Sequence, residues 1–331
     1  MSGWSEQVRD QARLLIEQIS FIGGLLSPED ARESSSYQEL YSKLESLYIE
    51  DMRLAYTRDN SDLVIRLEGL SIEQNPRLSL VASVFENVTQ RVTDLTKAIL
   101  GEGAKGKIAS GDIDLVLTGV ARGSLVLGLA AQQPNAQEFG NLLSGIDPLH
   151  ASTRRALQVM EEVAHSVEQA GAKMSSETIA HVVHDPKIRD AALVAVQRIS
   201  PTGRRGIDAV SLSGRETDRA PARLTMFNRR MIRESLVRPI VKGETLELTG
   251  QVREIDLDSR RFDLRNINDD KVSDVRCAYN AVENVTPREL IGAKVKVRGL
   301  VERSTDETPR LMALTSIEII RRNVTADRRI L

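Results

Sequence analysis

Arginine is concentrated in one stretch of this chain, between residues 204 and 238. The stretch holds nine arginines, no lysine and four acidic residues, which gives a local excess of five positive charges. The planar guanidinium donates paired hydrogen bonds that match the oxygens of a phosphate or carboxylate. This composition therefore predicts binding of an anionic partner. The arginines that we predict to contact it are Arg204, Arg205, Arg215, Arg219, Arg223, Arg229, Arg230 and Arg233.

A second group of basic residues lies further along the chain. Lys294, Lys296 and Arg298 alternate with valines, so a β-strand would place all three on one face. If the helix predicted after Thr225 packs beside this strand, the two groups form one basic surface. The alternative is that these side chains pair with the chain's own carboxylates and form a solvated face.

Residues 101–107 contain most of a phosphate-binding loop. Such a loop follows a strand, precedes a helix and ends in a Ser or Thr hydroxyl that binds magnesium. Here Ile108 occupies the hydroxyl position, and the segment connects a predicted helix to a predicted strand. We therefore predict a connecting loop that does not support nucleotide hydrolysis.

Metal ligands and nucleophiles are sparse. His181 and His184 are three residues apart on a predicted helix, but zinc needs further ligands and no second pair is nearby. Cys277 falls on the apolar face of a predicted strand, where a thiol behaves as a small hydrophobic side chain. Ser124 lacks the glycine two residues later that a nucleophile elbow requires. We predict no catalytic residue, no metal site and no cofactor.

The second basic group lies in a segment, residues 245–320, whose alternation of apolar and polar residues predicts a small β-structure. Apolar residues alternate in five short runs, which predicts five strands, and the first run slips after Val252, which predicts a bulge or a sharp coil. Thr286, Pro287 and Glu289 predict a short helix between the third and fourth strands. Five strands with a helix at this position resemble an OB-fold barrel. The helix argues against the alternative, an SH3-like barrel.

The whole chain is predicted to be α+β, with a helical N-terminus and a two-layer α/β body followed by the small OB-like barrel. We predict N-terminal helices over 1–60, an α/β and helical domain over 61–238, the barrel over 239–322 and a loose tail over 323–331. The N-terminal helices are predicted to pack within the chain. Contact between two copies of the chain is the alternative, so a homo-oligomer through these helices stays open.

Composition limits the partners of this 331-residue chain. A net charge of −2 gives no overall attraction to nucleic acid or to an anionic membrane, so such binding needs a local patch. No apolar run approaches the ~20 residues that a membrane-spanning helix needs, and the N-terminus lacks a signal-peptide pattern. A single cysteine is consistent with a reducing compartment. We therefore expect a cytoplasmic protein without membrane contact.

These observations favour a non-enzymatic binding subunit that contacts nucleic acid or a nucleoprotein through the arginines and the barrel. Aromatic residues make up only 3% of the chain, so base stacking on exposed rings is a weaker expectation than phosphate contact. The alternative is a protein–protein adaptor or regulatory accessory component of a bacterial multi-gene system, for example a defence system. An enzyme on the α/β half is a third hypothesis.

Overall fold

The computed structural model describes residues 3–73, 76–101, 113, 115–121, 125–132, 147–204, 206–215, 219–237, 244–269, 272–282, 286–304 and 306–321. Within them the chain has N-terminal helices, an antiparallel sheet covered by helices, and a closed C-terminal barrel, so the α+β prediction is confirmed. The predicted tail over 323–331 and the predicted boundary at 238–239 lie outside the described residues.

The N-terminal helices form a bundle in which the first helix packs against the third and fourth. Asp59 fixes the start of the bundle, because its carboxylate accepts hydrogen bonds from Trp4 N (2.8 Å) and Ser5 N (2.9 Å). The guanidinium of Arg58 lies over the Trp4 ring, 4.0 Å from its centroid. The elements are α1 (Trp4–Leu25), α2 (Pro28–Glu33), α3 (Ser35–Ser46), a π-helical turn (Leu47–Asp51) and α4 (Met52–Asp59).

The body contains a five-stranded antiparallel sheet. Its spatial order is β2-β3-β1-β4-β5, so the first strand in sequence lies at the centre and pairs with β3 and β4. Alternation on β1 places Leu63, Ile65 and Leu67 on one buried face, as predicted. The strands are β1 (Leu63–Glu68), β2 (Leu115–Ala121), β3 (Leu125–Ala131), β4 (Ala209–Gly214) and β5 (Ala222–Thr225).

Helices cover this face of the sheet. The long helix over Pro148–Ala170 packs against β1, β3, β4 and β5, and the helix over Leu78–Leu100 packs against it and against the helix over Pro186–Ile199. Buried aliphatic side chains recur at helical spacing on both long helices. On the opposite face α4 packs, with Leu54 against Val64. The helices are α5 (Leu70–Glu73), α6 (Leu78–Leu100), α7 (Pro148–Ala170), α8 (Ser176–Ala180), α9 (Pro186–Ile199) and α10 (Met226–Val237).

The C-terminal strands close into a barrel of order β10-β8-β7-β6-β9, in which β10 is parallel to β8 and the other pairs are antiparallel. A register shift between Val252 and Glu254 confirms the predicted bulge in the first barrel strand. The predicted helix lies between the third and fourth barrel strands. The elements are β6 (Thr245–Asp256), β7 (Arg261–Arg265), β8 (Asp274–Ala278), α11 (Pro287–Leu290), β9 (Lys294–Arg303) and β10 (Pro309–Arg321).

Helix α9 joins the body to the barrel through buried charged side chains. Lys187 lies 3.2 Å from Asp263 Oδ2 and also forms an ion pair with Asp274. Asp190 accepts hydrogen bonds from Arg261 and Arg276. Buried charges are retained where they are paired, so these contacts hold α9 against β7 and β8.

Candidate functional site: an arginine-lined cleft

The predicted arginines that the structure describes lie in the segments around β4 and β5, on β5 itself and on helix α10 of the body. Arg204 follows α9, Arg215 follows β4, and Arg219 precedes β5. Arg223 is on β5, and α10 carries the rest. Those on the helix are Arg229, Arg230 and Arg233, whereas Arg205 lies outside the described residues.

A cleft of about 660 Å³ lies between α6, α10 and the segment that follows α9. Four arginines line it, and none of the lining residues in the described part of the chain is acidic. Three of the four belong to the predicted set. The lining arginines are Arg198, Arg204, Arg229 and Arg233.

One wall of the cleft is a face of α6. Its residues follow the i, i+3, i+4, i+7, i+8 spacing of one helix face, so the wall combines apolar and small polar side chains. The floor is formed by β1 and β4, where Leu67 and Val210 are buried. The α6 residues are Leu80, Ser83, Val84, Asn87 and Val88.

The segment after α9 is held in place by hydrogen bonds to its backbone. Arg229 Nη1 donates to the carbonyl oxygen of Ser200 at 2.9 Å and also to that of Gln197. Asn87 Nδ2 donates to the carbonyl oxygen of Arg198 at 2.9 Å. These donors satisfy carbonyl groups that the end of α9 leaves without helical partners. Arg229 and Asn87 therefore fix the position of one rim of the cleft.

The interior of the cleft is electropositive. Burial, followed by repulsion from Arg198 and Arg233, lowers the pKa of the Arg229 guanidinium. The positive charge of Arg198 is balanced by a carboxylate of the barrel, since its Nη1 lies 3.0 Å from Asp258 Oδ2. Arg204 and Arg233 are exposed, and no described carboxylate lies within ion-pair distance of either. An anion in the cleft would therefore meet the guanidinium groups of Arg204, Arg229 and Arg233 without a competing carboxylate among the described lining residues.

The other predicted arginines lie outside the cleft lining. Arg223 Nε lies 3.3 Å from Glu68 Oε2. Arg230 pairs loosely with Glu234 at 3.9 Å and lies over the Phe227 ring, 5.5 Å from its centroid. Arg215 and Arg219 are exposed at the two ends of a segment that lies outside the described residues.

The basic residues of β9 lie on the barrel wall that pairs with β6 and β10. Lys296 forms an ion pair of 2.8 Å with Glu247, and this hydrogen bond raises its pKa. Lys294 and Arg298 are exposed. In the described residues, no contact joins these three side chains to the arginines of the cleft. Their contribution to binding stays a prediction.

Other motifs singled out in the sequence give no site in the described residues. Helix α8 ends at Ala180, so His181 and His184 follow it, and both are exposed; the prediction that they lie on a helix is wrong. No cluster of His, Cys, Asp and Glu suited to a metal was found among the residues described. Cys277 is buried, and burial raises the pKa of its thiol. Residues 102–107 and Ser124 lie outside the described residues.

The sequence did not indicate that α6 and the last turn of α9 contribute to the site. Arg198 and Asn87 precede the arginine-rich stretch by 6 and 117 residues, and only the fold brings them beside Arg229. The position of Arg198 in the last helical turn before Pro201 was the one available signal that this end of α9 carries part of the site.

Among the described helices, none has the length and apolar character needed to cross a bilayer. No family model matches this sequence, and neither a curated protein nor a solved structure matches it.

Proposed function

We propose that this protein is a non-enzymatic subunit that binds nucleic acid through the phosphate groups, with the cleft arginines as the main contact. The observation that carries the proposal is the set of guanidinium groups in a cleft without an acidic lining residue, in a chain whose net charge is −2. Phosphate contacts by arginine supply most of the sequence-independent affinity of nucleic-acid-binding proteins.

The barrel has a supporting role in this proposal. Its strand order and the helix between β8 and β9 are compatible with an OB-like barrel, a fold that binds oligonucleotides mainly through its second and third strands. Here those strands are β7 and β8, and their charged side chains contact α9. The barrel would thus support the cleft, since it supplies Asp258 beside Arg198.

The test is a fluorescence polarisation titration of single-stranded DNA, single-stranded RNA and duplex DNA at several salt concentrations. We expect binding that weakens as salt rises, because each phosphate contact releases condensed counterions. Arg233→Glu should weaken binding at least tenfold, since it places a negative charge in the cleft. Arg155→Glu is the control, because Arg155 is an exposed arginine of α7 that lies outside both the cleft lining and the arginine-rich stretch. Absence of salt-sensitive binding to all three probes overturns the proposal.

A second candidate function, a protein–protein adaptor, is favoured by the outer face of the N-terminal helices. Phe21 and Leu25 on α1 are each 69% exposed, and Tyr41 and Tyr48 on α3 and the turn after it are also exposed. Large apolar side chains grouped on a surface are typical of contact with another chain.

This second candidate is tested by size-exclusion chromatography with light scattering on the full chain. The adaptor hypothesis expects the wild-type chain to run as a complex, with a second copy or with a stoichiometric protein partner, and Phe21→Glu to run as a monomer. Ser36→Glu, at an exposed polar position of α3, is the control. A wild-type chain that is monomeric and elutes without a partner would exclude this function.

A further inference from the structure

We infer that the arginine-lined cleft receives the phosphomonoester of a single nucleotide unit, either the phosphorylated end of a single strand or a free nucleotide. This inference deepens the proposed function, on which it rests, by naming the part of the nucleic acid that enters the cleft. Its basis is the combination of charge, available donors, wall chemistry and size at one place in the fold.

The charge of the cleft suits a terminal phosphate better than an internal one. Arg198 is compensated by Asp258, whereas Arg204, Arg229 and Arg233 have no acidic neighbour in the cleft lining that is described. A terminal phosphate carries roughly two negative charges near neutral pH and three acceptor oxygens. It therefore balances this charge more fully than an internal phosphodiester, which carries a single charge.

Hydrogen-bond donors remain available at the mouth. Arg204 and Arg233 are exposed, and the described residues offer their guanidiniums no carboxylate partner. Arg229 uses Nη1 for its backbone bonds, so within the described part of the chain its Nη2 has no protein acceptor. Guanidinium groups bind phosphate oxygens through two parallel hydrogen bonds, which gives both strength and direction.

The wall opposite the arginines suits a nucleoside. Leu80 and Val84 on α6 provide aliphatic surface on which a base can lie. Asn87 donates its Nδ2 hydrogen to Arg198, which leaves its carbonyl oxygen as an acceptor for a sugar hydroxyl or a base amino group. The cleft thus has a positively charged side for the phosphate and a mixed apolar and polar side for the rest of the unit.

The size of the cleft limits what enters it. A volume of about 660 Å³ lies within the range of about 300–1,000 Å³ that is typical of small-ligand pockets. A double helix cannot place its paired bases in a concavity of this size, whereas one unpaired nucleotide can. The cleft is therefore expected to prefer a single strand with a phosphorylated end over a blunt duplex.

The inference is tested with the full chain by competition in a polarisation assay at constant salt. A labelled single-stranded oligonucleotide is displaced by the same strand carrying a 5′-phosphate, a 3′-phosphate or hydroxyls at both ends. A nucleoside monophosphate and the matching nucleoside form the second arm. A phosphorylated strand should compete about tenfold or more better than the hydroxyl strand, which corresponds to one hydrogen bond to a charged group.

Two variants assign the effect to the cleft. Arg204→Ala with Arg233→Ala should remove the preference for the phosphorylated end, whereas Arg155→Ala on α7 should retain it. Arg233→Lys should keep part of the affinity but reduce the preference, because lysine lacks the planar fork. Circular dichroism confirms folding, and the exposed positions of Arg204 and Arg233 make a folding defect unexpected.

The outcomes separate the inference from the proposed function. Displacement of the labelled strand by the monophosphate but not by the nucleoside supports the inference and identifies a free nucleotide as a ligand. Preference for phosphorylated strands alone supports it and identifies a strand end. Equal competition by all strands, weakened equally by the double variant, overturns the inference while the proposed function stands. No binding of any probe overturns both.

Discussion

Arg261 on β7 donates from Nε to both carboxylate oxygens of Asp190 on α9, at 3.1 and 3.3 Å, and both side chains are buried. Arg276 donates to the same carboxylate from β8. Lys187, one helical turn before Asp190, pairs with Asp263 and Asp274 of the barrel. The barrel and the body are thus joined by buried opposite charges, and the turn after β6 that carries Asp258 lies beside Arg198 of the cleft.

Asp190→Ala should destabilise the protein strongly. The variant leaves the buried Arg261 and the partly buried Arg276 without their shared carboxylate, and breaking a buried pair in this way costs about 3–5 kcal/mol. Denaturant unfolding measures the loss. Arg155→Ala is the control, because it removes an exposed pair with Glu162 and should cost at most about 1 kcal/mol. Equal effects of the two variants would contradict this account.

The contribution of Asp190 should depend on pH. Burial alone would raise its pKa, but the guanidiniums of Arg261 and Arg276 hold the pKa of Asp190 below its ordinary value. A carboxylate with a lowered folded-state pKa stabilises the fold above its unfolded pKa of about 3.9, and this stabilisation is lost as pH falls through the folded-state pKa.

Asp190→Asn tests this dependence, because the amide resembles the protonated acid. The difference in free energy of unfolding between wild type and variant should stay constant from about pH 7 to pH 5 and shrink below about pH 4. Other carboxylates titrate in both proteins and cancel in the difference. A difference that stays constant down to pH 3, measured by denaturant unfolding, would show that Asp190 is not held as a carboxylate.

Arg229 should differ from Arg204 and Arg233 in its effect on stability. Arg229→Ala removes the donor to the carbonyl groups at the end of α9, and unsatisfied carbonyls cost about 1–3 kcal/mol. Arg204→Ala and Arg233→Ala should change stability by less than about 0.5 kcal/mol, because both side chains are exposed. Thermal and denaturant unfolding distinguish these roles, and identical effects of all three variants would reject the distinction.

Cys277 should be unreactive in the folded protein. Its side chain is fully buried in the barrel core, and burial raises the pKa of the thiol, so little thiolate forms. A chromogenic disulfide reagent should label it only as fast as the protein unfolds, and at once in denaturant. Ser36→Cys in a Cys277→Ala background provides an exposed thiol that should react rapidly. Rapid labelling of native wild-type protein would contradict the buried position.

The barrel could be predicted from sequence because its strands alternate and its short helix begins with a recognisable Thr286-Pro287 start. The contact between α9 and the barrel could not be predicted from sequence. Lys187, Arg189 and Asp190 have the composition of a solvent-exposed helical turn, yet all three are buried. Their partners lie about 70 to 110 residues away in sequence, so no local pattern indicates the pairing.

The cleft could be predicted only in part, for the same reason. The charge excess after Arg204 indicated an anion-binding segment, and three of its arginines line the cleft. Which arginines face the cleft depends on tertiary packing: Arg229 turns toward the end of α9, whereas its neighbour Arg230 lies over Phe227. Composition gives the charge of a segment but not the direction of each side chain.

The salt dependence of single-strand binding tests the central claim most directly. Between 50 and 200 mM salt, the logarithm of the affinity should fall linearly with the logarithm of salt concentration, with a slope of about −0.7 for each phosphate contacted. The double variant Arg204→Ala with Arg233→Ala should make the slope less steep by about 0.7, since the contact with the phosphate in the cleft is lost, whereas Arg155→Ala on α7 should leave it unchanged. Equal slopes for the double variant and the wild type, or wild-type affinity that does not depend on salt, would contradict the assignment of this cleft as a phosphate-binding site.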